Sequence, residues 1–295
     1  MLTLAKAAPA AVALLTLTAC GSHYNVFNTP THHEDRAMSV AHVSGSALSV
    51  VTANGSVTAK ADNEIIDNQV HIEARLYSKD LERLAFAQVQ AERAGDGSLR
   101  VWVEWPAPGR QKGEGAKVRI NLPDANGVSI RSSNGSIHAE GLAGHANLTS
   151  SNGSIVIRHH DGDLIADTSN GSIRAEHVAG PIDIDTSNGS VVVEEAIGPV
   201  LVETSNGSVA VQTNEHNPGP VRVRTSNGRV QLDLGHGFSG VLKLNTSNAK
   251  IRAGNFENAR LIESSKNHVE LQFGDDETIS AVRTSNGSIS VSGSD

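Results

Sequence analysis

From Ile130 to Val291 apolar side chains occupy alternate positions in short runs, and the runs return about every 18 residues. One apolar column holds Ile137, Ile155, Ile173, Val191 and Val209; a second, two positions on, holds Ala139, Ile157, Ala175, Val193 and Val211. A third, ahead of these, holds Ile130, Leu148, Ala166, Ile184 and Val202. Alternation with period two buries one face of a strand. Its return at a fixed longer period predicts stacked units, each made of short strands.

Between the strands of each unit lies Thr/Ser-Ser-Asn-Gly-Ser-Ile/Val. Its Asn positions are Asn134, Asn152, Asn170, Asn188 and Asn206, followed at a spacing of 21 by Asn227 and Asn248, then by the degenerate Lys266 and by Asn286. Two architectures satisfy this pattern. Asn-Gly between alternating runs is a hairpin signal, so each unit could be one antiparallel hairpin. In a parallel β-solenoid each unit is one coil, and equivalent residues stack on those of the next. The solenoid explains why Asn itself recurs, because stacked side-chain amides form a ladder; all eight Asn residues are therefore expected as structural turn and ladder residues. The longer spacings fall in turn-rich stretches such as Asn214 to Pro220, which can bulge without moving the columns. Against the stack, Asp167, Asp185 and Glu203 share an outward column and would meet as like charges. The expected fold is an all-β parallel β-solenoid of about 18–21 residues per coil, with an N-terminal β-rich cap containing one short helix.

Composition sharpens this picture. Only 3% of residues are aromatic, which suits a thin core of stacked Val, Ile and Ala better than a bulky globular one. The net charge of -8 is spread along the chain and argues against nucleic acid as a partner.

Residues 1–19 read as an export signal, with Lys6 ahead of an apolar run too short to span a membrane. The run ends in Leu17-Thr18-Ala19-Cys20, which resembles the lipobox of bacterial lipoproteins and makes Cys20, the only Cys, the expected lipidation site. Gly21 follows where many inner-membrane lipoproteins carry Asp, so the outer membrane is the expected destination, with its periplasmic or surface side left open. Residues 20–46 are polar and aperiodic, as a flexible tether would be; His32-His33-Glu34-Asp35 is read as solvated linker. Residues 47–131 are expected to form the cap, and 132–295 the repeats. Within the cap, Asn54-Gly-Ser-Val57 carries the turn motif once, and strands are expected near Val70 to Tyr77, Leu99 to Trp105 and Ala116 to Leu122, with a helix over Lys79 to Ala87.

No Gly-x-Ser-x-Gly, phosphate-binding loop or nucleophilic Cys is present, so neither catalytic residues nor a cofactor is expected. The nearest metal pattern is His159, His160 and Asp161 with His177 one coil on; His160, however, falls in the packed column of Leu142, Val178 and Ala196, so no metal is expected. The Thr/Ser column, with Thr168, Thr186 and Thr204, lies inward and is expected to hydrogen-bond at the turn.

The order of lipobox, Asn-Gly-Ser-Val strand, short helix, Leu-x-Val strand, Ile120-Asn-Leu-Pro123 and Asn-Gly-Ser-Ile repeats resembles the bacterial putative-adhesin family of β-strand-repeat proteins, a domain of unknown function. The resemblance covers about Ala47 to the C-terminus. It implies a right-handed parallel β-solenoid, the hand that crossovers between parallel strands favour, and brings no catalytic residues. The expected function is that of a non-enzymatic, lipid-anchored envelope protein, attached to the membrane through Cys20, with a protein or polysaccharide ligand. The alternative is a carbohydrate-active β-helix enzyme acting on envelope or extracellular polysaccharide. Such an enzyme needs an irregular loop-built cleft, whereas these turns are short and the coils nearly uniform.

Overall fold

The computed structural model describes residues 31–62 and 64–293. Among them are 25 strands and one helix, Leu81–Phe86, and the strands form two sheets of 12 and 13 members. In the repeats, the strand entering each Thr/Ser-Ser-Asn-Gly turn lies in the larger, second sheet, and the strand leaving it lies in the first. Ile182–Thr186 pairs in parallel with Leu164–Thr168 on one side and Val200–Thr204 on the other, setting Ile184 between Ala166 and Val202. Ile173 likewise lies between Ile155 and Val191 in the first sheet. Hairpins at the Asn-Gly turns would pair sequence neighbours in antiparallel fashion; the observed partners are instead equivalent residues of successive units.

Strands of the inner coils follow the alternation. Ile182 and Ile184 are buried while Asp183 and Asp185 face water. The inward columns of both sheets join in one apolar core. Burying each Val or Ile side chain there contributes about 1.5–3 kcal/mol, and repetition of similar shapes in register lets layers of one size pack without gaps.

Antiparallel strands cover both ends of the stack. In the first sheet His32–Ala41 pairs with Gln69–Ser78, which pairs with Gly115–Leu122; in the second, Gln88–Arg93 pairs with Leu99–Glu104. The helix is N-capped by Asp80, whose carboxylate accepts from the Arg83 N–H at 3.1 Å, and it buries Leu84. Arg83 Nε also donates to the buried Glu114 carboxylate at 2.7 Å, tying the helix to the loop ahead of Gly115. At the far end three of the few aromatic residues collect: the Phe273 ring lies edge-on, 5.1 Å from Phe238 and 5.2 Å from Phe256.

Two expectations need correction. The first concerns the tether over 20–46, whose described part contains the ten-residue strand His32–Ala41. Its Glu34, Arg36, Met38 and Val40 alternate as a half-buried face, and Asp35 accepts two bonds from Arg75 at 2.8 and 3.0 Å across the pair. The face packs only lightly because the strand lies at the sheet's edge, so it is built from polar residues that disguise the period.

The second concerns the C-terminus. Ala259–Ser264 and His268–Phe273 form an antiparallel hairpin in the second sheet, and Lys266 occupies no coil turn. Val269 and Leu271 are buried there, while Ile262 is exposed. The last unit, Ile279–Thr284 with Ile289–Gly293, slots between its predecessors: Thr284 pairs with Thr225 and Thr246, and Ile289 with Val230 and Ile251. The order of stacking thus departs from the order of sequence. Asn267 stands where most coil turns carry Gly; the turn at Asn248, which carries Ala249 there, still stacks on that of Asn286. At Gly287 the approach is close: a Cβ there would meet the Gly228 carbonyl oxygen at 1.7 Å.

Candidate functional site

The repeated turns form a spine along one edge of the stack. Asn152 Nδ2 donates to Asn134 Oδ1 at 2.7 Å, Asn170 to Asn152 at 2.8 Å, Asn188 to Asn170 at 2.9 Å and Asn206 to Asn188 at 2.9 Å. The series runs on through Asn227, Asn286 and Asn248, each step 2.7 Å, and begins at Asn54, which accepts from Asn134 at 2.6 Å. Asn286 is therefore an inner rung and Asn248 the terminal one, the reverse of their sequence order. Asn54, assigned by sequence to the cap, belongs to the same line.

From Asn134 onward these Asn side chains are solvent-exposed; the buried polar column lies two positions earlier. Thr186, 1% exposed, accepts from the Gly189 N–H at 3.2 Å and donates to the Gly171 carbonyl of the preceding coil at 3.2 Å. Thr168, Thr204, Thr225 and Thr284 repeat both bonds. Donors and acceptors of the spine are directed at one another, which makes it scaffold.

At a second turn His159, His177 and Glu195 occupy equivalent positions with φ of 51°, 54° and 55°, left-handed backbone that non-glycine residues seldom adopt. The imidazoles of His159 and His177 stack with centroids 4.9 Å apart. His160 points inward, 1% exposed, opposite Val178, with Nε2 3.3 Å from the Asp163 carbonyl oxygen. His160 is thus a core residue, and of the four residues in the sequence pattern only His159 and His177 have their rings in contact. Cys20 lies outside the described residues.

The outward faces of the two sheets differ in how they handle charge. On the first, opposite signs meet: Arg158 bonds Glu176 at 2.6 Å, Arg174 bonds Glu194 at 3.0 Å, and Lys60 lies 3.5 Å from Glu140. On the second, Asp167, Asp185 and Glu203 stack in register with Asp183 alongside, and none has an ion-pair partner among the described residues. One coil further Arg224 faces Glu203 in the register, Arg222 sits beside it and Arg283 follows. The sign of the face reverses between two adjacent strands. Along the acidic half runs a shallow groove lined by Ile165, Pro181, Asp183, Pro199 and Leu201, with Arg222 at its basic end.

Burial, and after it the charges of Asp167, Glu203 and Asp183, push the Asp185 carboxyl above the usual aspartate range. A carboxyl with a raised folded-state pKa binds protons more readily folded than unfolded. Its repulsion therefore weighs on the fold at neutral pH and is relieved as pH falls through the raised value toward the ordinary one. Asp185→Asn is expected to raise the denaturation midpoint at pH 7 and to change it less near pH 4; an equal shift at both pH values would show that repulsion is not what the substitution removes.

Neither a family model nor a curated protein matches the chain. Solved structures that are similar include a putative adhesin from Bacteroides fragilis, 10% identical, covering 90% of this chain and 98% of that one with a TM-score of 0.38. Another putative adhesin, from Parabacteroides distasonis, is 12% identical, covers 88% and 97%, and has a TM-score of 0.37. A protein described as a putative lipid binding protein from Parabacteroides distasonis is 13% identical, covers 87% and 96%, and has a TM-score of 0.31. The first two carry the same description as the family the sequence resembles. Superpositions this loose carry no argument about ligand or activity.

Proposed function

We propose that this protein is a non-enzymatic, lipid-anchored envelope protein whose right-handed parallel β-solenoid presents the charged outer face of its second sheet to a protein or polysaccharide partner. The observation that carries this reading is the unpaired acidic column of Asp167, Asp185 and Glu203 on that face. A surface that needs only to be soluble is served by alternating signs, as the first sheet shows. Stacking like charges directly opposite one another costs stability, and complementary charges on a partner offset that cost when it binds. The right-handed path follows from the preference of parallel crossovers. Attachment through Cys20 rests on the lipobox; no helix among the described residues is long and apolar enough to cross a membrane. An enzymatic role has less support, because the clustered carboxylates lie on an exposed sheet face with no loop-built cleft around them.

Cross-linking in intact envelopes, followed by fractionation and capture, tests the proposal. Wild-type protein is expected in the membrane fraction with a bound partner, and Cys20→Ser is expected to move to the soluble fraction. The double change Arg222→Ser with Arg224→Ser should keep the membrane location and lose the partner, while Arg158→Ser on the first sheet should keep both. A partner retained without Arg222 and Arg224, or Cys20→Ser protein still held at the membrane, would refute the corresponding half.

A further inference from the structure

We propose that the C-terminal hairpin carries a site for a divalent transition-metal ion of the zinc class, built from Glu263, His268 and Glu270. The donor atoms of these three residues lie within 4.8 Å of one another. His268 Nε2 stands 3.7 Å from a Glu263 carboxylate oxygen and 3.8 Å from one of Glu270. An ion about 2.0–2.2 Å from each donor fits between them and leaves coordination positions open to water. Imidazole with two carboxylates suits Zn²⁺ and its neighbours, and is too poor in oxygen for Ca²⁺.

Three features make this more than a chance meeting of acidic groups. The first is the bulge between Leu261 and Glu263, where the register shifts and Glu263 comes to oppose Glu270. An uninterrupted pairing would put Ile262 there; bulges commonly re-aim a side chain beside a functional site. The second is the orientation of His268. Its Nδ1 lies 2.8 Å from Asn245 Oδ1, an acceptor that suits the tautomer with the hydrogen on Nδ1 and leaves the Nε2 lone pair free for an ion. This is how metal-binding imidazoles are held by a neighbouring side chain. The third is electrostatic. Glu263 and Glu270 face each other across the strand pair, an unfavourable arrangement, and Lys243, 3.3 Å from Glu270, answers only one of them. A cation at the shared point answers both.

Calorimetric titration of the purified protein with Zn²⁺ alone, near neutral pH, tests the site. Wild-type protein should take up Zn²⁺; Glu263→Gln, on a side chain 65% exposed at the sheet edge and thus harmless to folding, should weaken binding at least tenfold, and His268→Gln should abolish it. Asn245→Leu, which leaves all three ligands in place, should weaken it about 10–100-fold. His177→Gln should change nothing. Absence of Zn²⁺ uptake, as when a proton on Nε2 bridges the glutamates instead, would overturn the proposal. So would uptake that Glu263→Gln and His268→Gln leave unchanged, which would place the ion on other histidines.

Discussion

Gly189→Ala is expected to destabilise the fold by more than about 3 kcal/mol, beyond the usual cost of overpacking. A Cβ at this position would lie 1.7 Å from the Gly171 carbonyl oxygen and 3.0 Å from Thr186 Oγ1. The first neighbour is backbone and cannot swing aside. Relief requires the coils to part, and parting them breaks the bond from the Asn188 N–H to the Ser169 carbonyl at 3.0 Å together with the amide contact beside it. The glycine is thus needed for close approach between coils. Gly95 has nothing within 4 Å, and Gly95→Ala should shift stability by less than about 0.5 kcal/mol. Urea denaturation of both variants checks the pair of statements. A loss below about 1 kcal/mol at Gly189 would mean that the turns do not approach so closely.

Thr186→Val should cost about 2–6 kcal/mol, because the shape is kept while the Gly189 N–H and the Gly171 carbonyl both lose their hydroxyl partner in a buried place, at about 1–3 kcal/mol each. Asn170→Ala removes two amide contacts, to Asn152 and Asn188, but in water-accessible positions, where each is worth about 1 kcal/mol or less. The inner column should outweigh the outer one. Equal losses in the two variants would contradict this ranking.

That ranking has a geometric reason. Period-two alternation tells inside from outside along a strand, so Thr168, Thr186 and Thr204 are legible as inward. Asn170 follows two residues later, inside the turn, where alternation has ended and the pattern no longer says which way a side chain points. Within the strands the reading carries far: the columns of Ile173 with Val191 and of Ile184 with Val202 are the observed pairings. Stacking order is another matter, since nothing in a linear repeat says that the last unit inserts between two earlier ones. Lys266 and Asn267, which stand in place of Asn-Gly, mark the segment that folds as a hairpin instead of a coil. His32–Ala41 escaped notice because an edge strand needs little apolar surface. Glu263, His268 and Glu270 could not be grouped from spacing, because a hairpin and a bulge bring them together. The like-charge column of Asp167, Asp185 and Glu203 was legible as an objection to stacking; the structure keeps the stack and the charges, and the binding proposal grows from that tension.

The inserted unit also places Arg283 next to Arg224, so the basic end of the charged face depends on the stacking order. Paired cysteines in a Cys20→Ser background test that order most directly. Adjacent coils lie about 4.8 Å apart, within the Cα separation a disulfide accepts, whereas coils two steps apart exceed the limit of about 7 Å. Oxidation of the Asn227→Cys, Asn286→Cys protein is predicted to give an intramolecular disulfide, and the Asn227→Cys, Asn248→Cys protein is predicted to stay reduced. A disulfide in the second protein and none in the first would mean that the coils stack in sequence order, and would contradict the account.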